Sequence, residues 1–183
     1  NGIEQIIVTS SSVNESLESI ELAKSYKDKI WATAGIHPHN ASNASEKFKE
    51  DLMAILNHDE VVAIGECGLD YFRNFSSKEE QRKVFKGHLE LAHKVDIPLF
   101  LHQRDAHDDF FGMIKDYGPK ELKGVAHCFT GSKEQMESYL DLGLYIGVTG
   151  WLCDSRRNSE LLGAINYIPK DRLLIETDSP YLM

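Results

Sequence analysis

The sequence predicts an α/β fold, a TIM-type (β/α)8 barrel present in part. Three observations predict it. Short Val-, Ile- and Leu-rich runs recur without polar–apolar alternation, as in parallel strands buried on both faces. Amphipathic segments with helix start and stop signals lie between them. The run starts fall 28, 30, 37, 26, 21 and 28 residues apart, near the length of one strand plus one crossover helix. An open doubly wound sheet is the other architecture such alternation allows, but no Gly-x-Gly-x-x-Gly follows the first run.

The strand-like runs are 3–9, 31–37, 61–66, 98–102, 124–128, 145–149 and 173–176. After the first, Asn14 can cap a helix running to about Tyr26. Ser77 and Glu80 form a Ser-x-x-Glu capping box ahead of Val84, Leu89, Leu91 and Ala92. Asp105 can cap a helix over 106–117, which Gly118-Pro119 stops. Ser132 with Gln135 is a second box, before Met136, Tyr139 and Leu140, and Gly143 ends that helix. Pro169 marks the last stop. Seven βα units in 183 residues read as one barrel domain over residues 1–183, lacking its first strand and its C-terminal end. The first residue is Asn1 rather than Met, and the chain stops at Tyr181-Leu182-Met183, directly after Pro180, as a piece cut from something longer would.

Composition narrows the function classes. With 42% hydrophobic and 27% charged residues the chain is an ordinary globular one, and no apolar run approaches bilayer length. A net charge of −9 argues against a broad basic face for nucleic acid, so an anionic substrate needs a few arginines or a bound cation. Three irregularly spaced cysteines and no leader segment point to free thiols and a cytoplasmic setting. Nothing points to a membrane or to an obligate protein partner.

The polar residues are informative by position. Runs finish on His37, on Glu66, on His102, on His127 and on Glu176-Thr177-Asp178. In a parallel barrel such ends share one face, the face that carries active sites. A lone strand-end histidine is more often structural, and a lone glutamate is often a cap; the joint pattern suits a hydrolytic metal site. Glu66 can bridge two ions, and Asp178 can bind metal and accept the proton of an attacking water. Arg104 and Arg73 can face the mouth, where a guanidinium pair grips phosphate, with a surface ion pair as the plain alternative; Arg156 and Arg157, on the loop after the 145–149 run, also lie near the mouth of a barrel. Strand alternation turns Cys67 and Cys128 away if Glu66 and His127 point inward. His88 and His93 read as solvated helix histidines, His58 as an exposed turn residue, and His107 as a cap or substrate contact.

The chain also resembles the TatD family of metal-dependent deoxyribonucleases, in the amidohydrolase-like barrel group. The resemblance rests on Ala34-Gly35-Ile36-His37-Pro38-His39, Ala63-Ile64-Gly65-Glu66-Cys67-Gly68-Leu69-Asp70, Leu101-His102-Gln103-Arg104-Asp105-Ala106-His107, His127-Cys128-Phe129-Thr130-Gly131, Tyr145-Ile146-Gly147 and Ile175-Glu176-Thr177-Asp178-Ser179-Pro180-Tyr181-Leu182. It implies metal ligands at Glu66, His102, His127 and Asp178, with Glu66 bridging. It implies His37 and Arg104 as substrate-binding helpers and Glu66 and Asp178 as the catalytic pair. The implied cofactor is a divalent metal, Mg²⁺ first, with Mn²⁺ or Zn²⁺ as substitutes. The implied reaction is 3′–5′ removal of nucleotides from DNA ends, single-stranded ends foremost. A metal-dependent esterase or amidohydrolase, such as an aminoacyl-tRNA deacylase, is the alternative; the lysine that bridges metals in many related barrels is not at the end of the run that carries Glu66. The family's strand-one His-x-His and its C-terminal helices have no counterpart here, and Gln103 stands where the family often has Cys.

Overall fold

The computed structural model describes residues 2–179, so the Pro180-Tyr181-Leu182 part of the last motif lies outside the described residues. All seven expected strands are present. The chain divides into two compact units, 1–120 and 121–183.

In the first unit the order is β1 (Ile6–Val8), α1 (Val13–Ser25), β2 (Ile30–Ala34), α2 (Phe48–Ile55), β3 (Val61–Asp70), α3 (Lys78–Ala92), β4 (Leu99–Arg104) and α4 (His107–Tyr117). The strands pair in chain order and all in parallel: Val8 beside Ala32, Ala34 beside Ile64, Gly68 beside His102. The register slips between Ile64 and Cys67, beside Glu66. Helix α3 fills the space over β3 with Phe85 and Leu89, and Phe85 stacks on Phe110 of α4 at 5.4 Å between centroids. Ile6 and Ile7 on β1 stay exposed, against the expectation of strands buried on both faces, because β1 has one paired neighbour among the described residues.

In the second unit β5 (Gly124–Ala126), α5 (Lys133–Asp141), β6 (Tyr145–Val148), α6 (Ser159–Ala164) and β7 (Leu173–Ile175) follow the same plan. β5 pairs with β6 and β6 with β7, again in parallel. Met136 and Tyr139 of α5 and Ile146 of β6 are fully buried.

Both capping boxes form as read: the Ser77 and Ser132 side chains accept from the backbone at Glu80 and Gln135, which reach back to the cap. Two caps differ. The Ser12 hydroxyl, not Asn14, caps α1 by accepting from the Glu15 amide. Asp105 does not cap α4; its φ is +53°, and Gln103 Oε1 accepts from the Ala106 amide at 2.8 Å instead. Helix α2 was not anticipated, although Phe48, Leu52 and Ile55 already carry the i, i+4, i+7 spacing of a buried stripe.

His88 corrects the expectation of a solvated histidine, for it is fully buried. Nε2 accepts from the Ile36 amide at 3.1 Å, so the ring proton sits on Nδ1 and is donated to the Val84 carbonyl at 2.8 Å. The ring thereby ties α3 to the segment that carries His37. Burial pulls its pKa down to about 4, against the weaker upward pull of the Val84 hydrogen bond. A histidine depressed in the fold is protonated first in the unfolded chain. Its contribution to stability is therefore complete above about pH 6.5 and is lost as pH falls toward 4. Against a His88→Gln variant, which does not titrate, the wild-type advantage in urea unfolding should shrink by about 2 kcal/mol between pH 7 and pH 5. A constant gap across that window would contradict the assignment.

Candidate metal centre

Among the described residues, each unit gathers three side chains of metal-ligating type. In the first, donor atoms of His37, Glu66 and His102 all lie within 4.8 Å of one another. His37 follows β2, Glu66 sits in β3 and His102 in β4, so parallel pairing of adjacent strands aligns them. Glu66 Oε1 takes His102 Nδ1–H at 2.9 Å and lies 3.4 Å from His37 Nε2. Asp70 Oδ2 faces His102 Nε2 at 3.3 Å and His39 Nε2 at 2.7 Å. The sequence reading gave Asp70 no role. It could have been found, since Glu66, Gly68 and Asp70 fall on one face of a strand that runs to Asp70.

The charge balance shows what this cluster accommodates. Burial alone would lower the His102 pKa; the hydrogen bonds to Asp70 and Glu66 outweigh it and hold the group up at about 9. Burial would raise Asp70, yet His102, the Arg73 amide and His39 hold its carboxyl well below the usual range. Two enclosed carboxylates thus demand positive charge between them, which a divalent cation satisfies as an imidazolium does. His37 behaves differently. Its Nδ1 accepts from the His39 amide at 3.1 Å, and burial keeps its pKa below the ordinary value despite Glu66. The neutral ring therefore bears its proton on Nε2, which makes it a donor to anionic oxygen rather than a lone-pair ligand.

The second unit brings together His127, Cys128 and Asp178, again with donor atoms within 4.8 Å of one another. His127 Nδ1–H is donated to Glu176 Oε2 at 3.0 Å, and the same oxygen accepts the Cys128 amide at 2.9 Å. That orients the ring: Nε2 faces Asp178 Oδ1 at 3.7 Å, and a cation bound between them would take the Nε2 lone pair in place of a proton. A carboxylate behind a histidine in this way is the common support of a metal-bound imidazole. Bare Gly147 makes room for it, because a Cβ there would collide with Glu176 Oε1. Two members have left-handed backbone, Cys128 at φ +45° and Asp178 at φ +51°, a conformation that persists where surroundings impose it and that gathers at functional sites.

Cys128 corrects the alternation argument. β5 ends at Ala126, so period two no longer governs residue 128, and its left-handed turn brings Sγ to the His127 side. Cys67 stays within β3, is buried and turns its thiol toward the Phe100 carbonyl, as expected; burial pushes that thiol strongly up in pKa and leaves it inert. Arg104 lies over the Phe72 ring at 3.9 Å, within the first unit. Arg156 and Arg157 both pair with the one carboxylate of Asp154, and Arg157 covers Trp151, so both guanidinium groups are engaged within their own loop. His58 is exposed, His93 Nε2 contacts the Tyr117 carbonyl, and His107 stacks on Phe111.

Comparison with known proteins assigns the chain. The family model described as TatD related DNase matches residues 1–183. This chain belongs to the TatD related DNase family. A Salmonella typhimurium protein named 3′-5′ ssDNA/RNA exonuclease TatD is 44% identical over 182 residues, covering 100% of this chain and 70% of that protein. An Edwardsiella piscicida protein of the same name is also 44% identical, with the same coverage. Among solved structures, a TatD homologue from Escherichia coli K12 superposes with TM-score 0.90 at 33% identity, covering 99% of this chain and 70% of that one. A TatD family hydrolase from Entamoeba histolytica gives TM-score 0.88 at 38% identity over 99% of this chain. The chain spans 62% of the length of that Entamoeba protein. The fold is therefore the TIM-barrel type of TatD hydrolases, as the strand spacing and polarity implied, and the family assignment agrees with the resemblance. The donor sets and the family together call for a divalent metal. No helix among the described residues is long and apolar enough to cross a membrane.

Proposed function

We propose that this TatD family chain belongs to a metal-dependent 3′–5′ exonuclease acting on single-stranded DNA ends in the cytoplasm, with Mg²⁺ as the working metal. The observation that carries the reading is the placing of His127, whose Nδ1 is held by Glu176 while Nε2 faces Asp178. The names of the relatives at 44% identity support the direction of attack and the substrate class.

Glu66 and His102 in one unit, and His127 and Asp178 in the other, are the proposed metal ligands. When bound, the metal supplies Lewis acidity to the scissile phosphate and lowers the pKa of the attacking water. The remaining work falls to the chain. Asp178 accepts the proton of the water at a carboxylate oxygen. His37, neutral with its proton on Nε2, donates to a phosphate oxygen without adding a charge that would repel the metal. Arg104 presents guanidinium N–H groups to the backbone of the strand. Asp70 and Glu176 hold His102 and His127 in place and are not consumed.

Digestion from the 3′ end of a 5′-labelled single strand by the full parent protein tests the reading. Shortening is expected with Mg²⁺ or Mn²⁺ and none with EDTA. His127→Ala with Mg²⁺ should be slower by at least about 100-fold. Equal digestion by the variant would remove His127 from the site, and no digestion by folded, metal-loaded protein would overturn the nuclease reading.

A further inference from the structure

The segment between β3 and α3 exposes two phenylalanines on an ordered backbone. Phe72 is 56% exposed and Phe75 68%. Neither sits on a loose loop. Asp70 Oδ1 accepts the Arg73 amide at 2.8 Å, and buried Gln81 donates to the carbonyls of Asp70 and Ser76 at 3.1 and 2.8 Å. Ser76 Oγ is also bound to the His39 carbonyl at 3.0 Å. Solvent exposure of two large apolar rings is thus built into the turn rather than being a by-product of disorder.

Their neighbours identify what such rings would meet. The Arg104 guanidinium lies 3.9 Å over the Phe72 ring, with that of Arg73 at 5.9 Å. Phe75 meets the His39 ring edge-on at 4.8 Å. His39 in turn packs on His37 at 4.2 Å and is bonded to Asp70, which holds His102. The aromatic pair therefore borders the His37–Glu66–His102 cluster and carries two positive groups in a chain of net charge −9. Exposed aromatic faces beside guanidinium groups are the recurring means of holding unpaired nucleotides: the ring stacks on a base and the cation meets the phosphate.

We propose that Phe72 and Phe75, with Arg104 and Arg73, form a base-stacking subsite for unpaired nucleotides next to the scissile phosphate. The inference rests on the nuclease reading and deepens it. Paired bases present no free face to such a platform, so the subsite selects frayed or single-stranded ends without reading sequence.

The test is binding, at fixed salt with Mg²⁺, of strands whose 3′ linkages are phosphorothioates to prevent digestion. One strand carries bases throughout; the other has abasic sugars at its last two nucleotides. Wild type is expected to bind the base-bearing strand about 10-fold more tightly. The Phe72→Leu/Phe75→Leu variant keeps apolar bulk at both positions and should bring that ratio to about one. A 2-aminopurine at the 3′ end should be quenched on binding wild type and not the variant. An unchanged ratio in the variant, or no base preference in wild type, overturns the subsite while leaving a phosphate-gripping nuclease standing. Failure to bind either strand overturns both readings.

Discussion

Glu66→Gln should lower metal-dependent digestion of single-stranded DNA by about 10³-fold, the rate equivalent of several kcal/mol of transition-state charge stabilisation. The change preserves shape and removes one negative charge. Oε1 of Glu66 is the atom on which His102 Nδ1 and His37 Nε2 converge, at 2.9 and 3.4 Å. A neutral amide there no longer balances a cation, and of the two carboxylates facing His102 Asp70 alone keeps its charge. Metal affinity, read by titration calorimetry with Mn²⁺, should fall together with the rate. A variant that loses activity but binds metal as wild type does would show that Glu66 serves the substrate and not the ion.

Gly68→Ala should destabilise the protein by about 4 kcal/mol, combining left-handed backbone strain with overpacking. Gly68 has φ +142° and is paired with His102 across β3 and β4. A Cβ at this position would land far inside van der Waals contact distance of the His102 carbonyl oxygen, a backbone atom with no rotamer to yield. The strands would have to part where Glu66, Asp70 and His102 are aligned. For a chain of this size the midpoint of thermal unfolding should drop by roughly 10 °C. Gly112→Ala is the matched control, since nothing lies within 4 Å of its added Cβ in helix α4. That substitution should be neutral or stabilising by up to about 1 kcal/mol. Equal midpoints for the two variants would contradict the close approach of β3 and β4.

Seven strands, both capping boxes and the placing of His37, His102 and His127 at or near the ends of their strands were legible because each depends on local chemistry; Glu66, expected at a strand end, lies inside β3, which runs on to Asp70. Apolar runs, hydroxyl caps and stop glycines act over a few residues, and parallel pairing in chain order then needs only the alternation of β and α. Helix α2 was legible too, through Phe48, Leu52 and Ile55, but the 3₁₀ segment Pro38–Asn43 before it interrupts the period. The residues that escaped are those whose role is set by partners distant in sequence. His88 has the local pattern of any helix histidine; what makes it a buried, neutral acceptor is the Ile36 amide 52 residues away. Glu176 is one more strand-end acid until the His127 ring, 49 residues earlier, donates to it.

The sequence by itself therefore determined the order of elements, the barrel class and the residue types available to a metal, because these follow from hydrophobic period and position along each strand. Only the tertiary structure decided which ring nitrogen of His37 carries the proton, that Asp70 and Glu176 stand behind the histidines, and that Cys128 turns toward Asp178. Those outcomes depend on hydrogen-bond partners and backbone dihedrals that long-range packing imposes, and no spacing along the chain encodes them.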